Sequence, residues 1–141
     1  MAYTTINKST DYFNTKTYNG TGSAQSITGV GFQPDWVWIK HRTDISNHKL
    51  QDVIRGSTKV IGSNETSAEA TVAQGVTSFD SDGFSLGTDA SVNGTGDIVS
   101  WNWKANGSGS SNSDGSITST VSAGITQGMS IVKYTGNQTN G

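Results

Sequence analysis

The residues best equipped for chemistry are few and scattered. His41 and His48 are the two histidines, with Asp44 and Asp52 close by and Ser46 between them. A Ser-His-Asp triad is defined by geometry rather than by proximity in sequence. Serine is abundant here, and no G-x-S-x-G elbow occurs. Asp80 and Asp82 with Gly83 resemble the opening of a calcium loop. Such a loop needs further oxygen ligands and a distal bidentate Glu, and none follows at that spacing. A turn with a glycine bulge explains the same residues. Gly20-x-Gly22 and Gly29-x-Gly31 lack the following helix and the Lys-Ser/Thr of a phosphate cradle. The carboxylates fall mostly in turns, not as a glycosidase pair facing across a cleft. The chain has no cysteine, which excludes disulfides, thiolate zinc sites and thiol nucleophiles. No catalytic residue, cofactor-binding residue or metal ligand is assigned, and the chain is expected not to be an enzyme. His41, Arg42, His48 and Lys49 are expected to form a solvated loop rim or a polar contact to a partner.

The other conspicuous residues are Trp36, Trp38, Trp101 and Trp103, all the tryptophans of the chain, arranged as two W-x-W pairs. Exposed together they would make a platform on which sugar CH groups stack. Buried, they would fill a thin β core. Hydrophobic residues are 31% of the chain, so little else is on hand to build a core. Burying an aromatic side chain stabilises by roughly 1.5–3 kcal/mol. Exposing four would forfeit about 6–12 kcal/mol, comparable to a domain's net stability of about 5–15 kcal/mol. Core residues are therefore the favoured reading, with partner contact on one face as the alternative.

These side chains must be positioned by strands. Gly, Ser, Thr and Asn fill the place of apolar and charged residues, and Leu occurs only at Leu50 and Leu86. That composition suits short strands joined by tight turns, not helices. Strands are expected over Tyr12–Tyr18, Gln25–Ile27, Trp36–Lys40, Thr58–Ile61 and Ala70–Val72. Further strands are expected in a hairpin over Val76–Gly87 and over Ile98–Lys104. His48–Arg55 is a strand or one helical turn, and Asp89–Asp97 a loop. Alternation puts Trp36 and Trp38 on one face and Val37 and Ile39 on the other, both apolar, so this strand needs cover on both sides. In the second tryptophan strand Val99, Trp101 and Trp103 oppose Ser100, Asn102 and Lys104, the pattern of a half-exposed strand with its polar side outward.

Formal net charge is −2, with no block of Lys or Arg, so nucleic acid is excluded as a partner. No apolar run approaches the roughly 18 residues of a membrane span. The first residues, MAYTTINKSTDYF, lack a signal-peptide h-region, which points to synthesis in a cytoplasm.

Residues 1–11 read as a polar N-terminal arm and 12–104 as an antiparallel β-sandwich. Residues 105–116, ANGSGSSNSDGS, read as a flexible Gly/Ser/Asn linker. Beyond it, Ile117–Val121 and Met129–Tyr134 read as strands. MSIVKYTG, 129–136, aligns with FNTKTYNG, 13–20, matching Tyr134 to Tyr18 and Gly136 to Gly20 at an offset of 116 residues. Residues 117–141 are therefore expected to be the first strands of a second, incomplete repeat module, in a chain that is part of a longer repetitive protein.

GVGFQPDWVWIKHR, HKLQDVIRGSTKVIGSNETSAEA, GVTSFDSDGFSLGTDASVNGTG and VSWNWKANG together resemble a repeated domain of marine bacteriophage tail-fibre-like virion structural proteins. SIVKYTG, 130–136, resembles the strand that opens the next module in that family. The resemblance covers roughly residues 12–106. It implies a jelly-roll, lectin-like β-sandwich, no enzyme activity and no cofactor. The expectation is a virion-located, N-terminal attachment part of a tail fibre. Its partners would be other tail or capsid proteins, and the chain would be a homo-oligomer, a trimer by preference. The alternatives are a lectin-like module binding a surface glycan, with the loops at 43–47 and 89–97 supplying Asn and Asp, and a capsid decoration protein.

Overall fold

A computed structural model describes residues 6–138. The described chain is nearly all β. A 3-10 turn, Ser9–Asp11, leads into β1 (Phe13–Gly20), β2 (Gln25–Ile27), β3 (Trp36–His41), β4 (Lys49–Asp52), β5 (Gly56–Ile61), β6 (Ala70–Thr71), β7 (Val76–Asp80) and β8 (Gly83–Leu86). A one-turn helix, α1 (Ala90–Asn93), precedes β9 (Gly96–Trp103), β10 (Ser110–Asn112), β11 (Ser119–Gly124) and β12 (Met129–Tyr134). Of the expected arm, residues 9–11 form the 3-10 turn, and residues 1–5 lie outside the described residues.

The strands make a six-stranded sheet ordered β1-β9-β3-β4-β5-β6 and two three-stranded sheets, β2-β8-β7 and β10-β11-β12. The first two sheets face each other as a β-sandwich. Its core is Ile27, Val76, Phe84 and Leu86 from the small sheet, Val37, Ile39 and Ile98 from the large one, and Val92 from α1. Tyr18 and Phe79 pack against it. Asp89 caps α1 by accepting the Ser91 N–H at 2.8 Å, as an N-cap aspartate does.

The β7–β8 hairpin pairs Asp80 with Gly83 around Ser81 and Asp82. Gly83 is required twice over. Its φ is +151°, and a Cβ there would overlap the Ile27 carbonyl oxygen of the adjoining β2. The two carboxylates of this turn do different work. Asp80 accepts from the Ser78 and Ser85 hydroxyls at 2.8 and 2.6 Å. Asp82 reaches outward and accepts the N–H groups of Gly29 and Gly31 at 2.9 and 2.7 Å, pinning the loop between β2 and β3.

The expectation of a flexible linker over 105–116 is corrected by what its residues do. Ala105 is buried, and its N–H donates to the buried Asp35 carboxylate at 2.7 Å. Gly107 N–H donates to the same oxygen, and Asn106 N–H to the Ser122 hydroxyl. Gln127 closes the corner by donating to the Ala105 carbonyl. Ser110–Asn112 then pairs with β11 in antiparallel register, Ser110 opposite Val121. A strand ladder needs backbone donors and acceptors, not apolar side chains, so a Ser/Asn-rich composition does not preclude it. β12, like β1, lies at the edge of its sheet.

Candidate functional site: an aromatic outer face

Residues directly opposite in antiparallel strands share a face. In the six-stranded sheet, β1 pairs with β9, β9 with β3, and β3 with β4. One row across the sheet therefore reads Phe13–Trp103–Trp36–Asp52. The next reads Thr15–Trp101–Trp38–Leu50 and extends to Ile61 on β5. All four tryptophans stand on this outer face, turned away from the sandwich core.

The tryptophans are therefore not core residues. None is among the buried hydrophobic residues, and each is half-buried. They cover one another. Trp36 stacks on Trp103 with ring centroids 4.6 Å apart and planes 26° apart. Phe13 tilts against Trp103 at 4.9 Å, and Trp38 against Trp101 at 5.7 Å. Contact between rings recovers part of the burial that a core would supply. Phe13 and Ile61, at the two ends of the strip, remain 36% and 39% exposed.

The opposite face of the same strands carries the surprise. Ser100 and Asn102, read from sequence as the outward side of β9, are fully buried beside Val37 and Ile39. Gln51 on β4 is fully buried too. Within this face Asn102 donates to the Ser100 hydroxyl at 3.1 Å. Asn14 donates to the Val30 carbonyl at 2.8 Å, and Asn102 donates to the Asn14 carbonyl at 3.0 Å.

The proposed loop rim divides. His41 is buried on the inner face, its Nε2 3.2 Å from the Gly94 carbonyl, which it can reach only as a donor. Arg42 is exposed. His48 belongs to the aromatic strip, because Trp38 Nε1 donates to its Nδ1 at 2.7 Å. Lys49 pairs with Glu65 at 3.4 Å. Asn93, in the loop expected to offer Asn to a glycan, is buried instead. Its amide accepts from Thr21 and Gln25 and donates to Ser23 and Gly87, so it is fully used in holding the fold. Burial pushes the Tyr18 phenol well above its ordinary range, and the neutral hydroxyl donates to the Val92 carbonyl at 2.8 Å.

Two features were missed in sequence. Asp35, one residue before β3, is the buried anchor of the 105–107 corner. The second is a groove of about 430 Å³ between the outer face and β12. Trp36, Leu50, Asp52, Arg55 and Ile61 line one side and residues 129–134 the other. Arg55 is held there by Asp52 at 2.5 Å and Glu69 at 3.2 Å. Met129 and Ile131 are half-buried, whereas Val132 and Tyr134 are 53% and 64% exposed. Asp35 directly precedes β3, and its partners lie 70 and 72 residues further on. The groove depends on a contact between strands far apart in sequence.

The fold and face define an all-β sandwich carrying an aromatic strip on its outer sheet surface. The chain belongs to the family described as Domain of unknown function (DUF7483), whose model matches residues 8–141. No curated protein and no solved structure shows a significant match.

Proposed function

We propose that the chain is a non-enzymatic virion structural module, the particle-attaching part of a tail fibre, and that the outer aromatic strip is its contact surface. The observation that carries the reading is the strip itself. Aromatic side chains run across adjacent strands on a sheet face turned away from the sandwich core, with partly exposed rings and more exposed apolar ends at Phe13 and Ile61. Contiguous exposed apolar surface of this kind marks interaction sites, and Trp is enriched at the centres of protein interfaces. The sequence resemblance to phage tail-fibre-like modules supplies the kind of assembly, a jelly-roll-like module among tail or capsid proteins and a homo-oligomer, a trimer by preference. Mass spectrometry and cryo-EM of purified particles test it. A few to tens of copies, with Trp38 and Trp101 against a neighbouring chain, are expected. Hundreds of copies on the shell would make it a decoration protein, and absence from the particle would refute the reading.

The groove beside Trp36 favours a second reading, a glycan-binding module. An indole, a carboxylate and a guanidinium line one cleft there. Glycan-array binding that is lost in Trp36→Ala would establish it, and an array without signal would remove it.

A further inference from the structure

We propose that the cavity beneath β4 and β5 is an internal water site, with Gln51 as its principal ligand. Gln51 is fully buried, and neither its Oε1 nor its Nε2 has a hydrogen-bond partner among the described residues. A buried amide in that position is normally satisfied by something. The side chain lines a cavity of about 40 Å³, together with Lys49, Val60, Val72, Asp89 and Ser91. One water needs roughly 10–15 Å³ on such a measure, so two or three fit.

The chemistry of the amide selects the ligand. Oε1 only accepts and Nε2 only donates. A cation would satisfy the first and leave the second, and an anion would do the reverse. Water serves both from one molecule. Asp89 and Ser91 add further polar atoms on the wall, and buried waters typically make about three hydrogen bonds.

The fold explains why the cavity is there. β4 and β5 pair at Leu50–Ile61 and again at Asp52–Gly56, so Leu50–Asp52 faces the longer run Gly56–Ile61. The extra residues of β5 make a register irregularity opposite Gln51, and Val60 among them lines the cavity. There Lys59 and Val60 pair with β6, and Ser57 donates to the Thr77 carbonyl of β7. The gap beside this irregularity is walled by Lys49, Asp89 and Ser91 together with Val60, Val72 and Val92. Gly75 borders it, and a Cβ there would lie 3.5 Å from Gln51 Nε2.

A high-resolution crystal structure of the full chain tests this. The expected result is water density within about 3 Å of both Oε1 and Nε2. In Gln51→Leu that density is lost or displaced while the fold is retained. Gln51→Met, closer in shape, serves the same purpose should the leucine variant not fold. A dry cavity, a cation in it, or a Gln51 amide bonded to protein atoms would overturn the proposal. So would density unchanged in the variants.

Discussion

The two faces of the six-stranded sheet invert the usual expectation. The outer face holds all four tryptophans. The inner face, at the end closed by the loop 28–35, holds Asn14, Ser100, Asn102 and Gln51 among Val37 and Ile39. Apolar residues tend inward, but the rule runs one way only, and a buried polar residue is the more informative observation. Here half-buried Asn14 donates to the Val30 carbonyl of that loop and buried Asn102 to the Asn14 carbonyl, bonds that an apolar side chain could not make. The large rings are released to the outside, where they cover one another.

If the inner face is the core, its loss is the costlier. Phe84→Ala is expected to destabilise by about 3–5 kcal/mol, because the ring is fully buried at the centre of the sandwich. Asp35→Ala comes next, at about 1–3 kcal/mol, because the Ala105 N–H loses its buried acceptor. Hydrogen exchange would locate this effect, with faster exchange in β10–β12 than in β3 and β9. Trp101→Ala should cost only about 1–2 kcal/mol, reflecting a half-buried ring. Chemical denaturation ranks all three. A Trp101 effect as large as that of Phe84 would break the distinction between the faces.

The smallest effect is local and pH-dependent. The Gly29 and Gly31 N–H groups hold the exposed Asp82 carboxylate below its ordinary range, with Lys16 adding to the shift. A lowered folded-state pKa means that the contribution is fully present above the unfolded-chain value. It is lost as pH falls through the folded one. The amide resonances of Gly29 and Gly31 should therefore titrate together, with a midpoint below the usual aspartate range. In Asp82→Asn that titration should vanish while the outer-face indole resonances stay in place.

Much of the architecture was legible in the sequence. The alternation of WVWIKH separates Trp36 and Trp38 from Val37 and Ile39, as the structure does. The Phe79–Phe84 hairpin, the short strand 25–27 and β12 fall where their residues put them. Alternation divides a strand into two faces without saying which is inside, and for β9 hydropathy pointed the wrong way. Ser100 and Asn102 are buried on the inner face, where Asn102 donates to the Asn14 carbonyl 88 residues earlier, a contact with no local signature. The segment 105–116 misled for a related reason, since composition reports side chains while its strand is made by backbone. His41 was misplaced because its partner, the Gly94 carbonyl, is 53 residues away.

If the outer strip is the proposed contact surface and the inner face is the core, their solvent access must respond differently to assembly. Hydroxyl-radical footprinting of the isolated chain and of the assembled particle tests this most directly. Trp38 and Trp101 should oxidise readily in the isolated chain and become protected in the particle, while Phe84 stays protected in both. Equal oxidation of Trp38 and Trp101 in the two states would contradict the account.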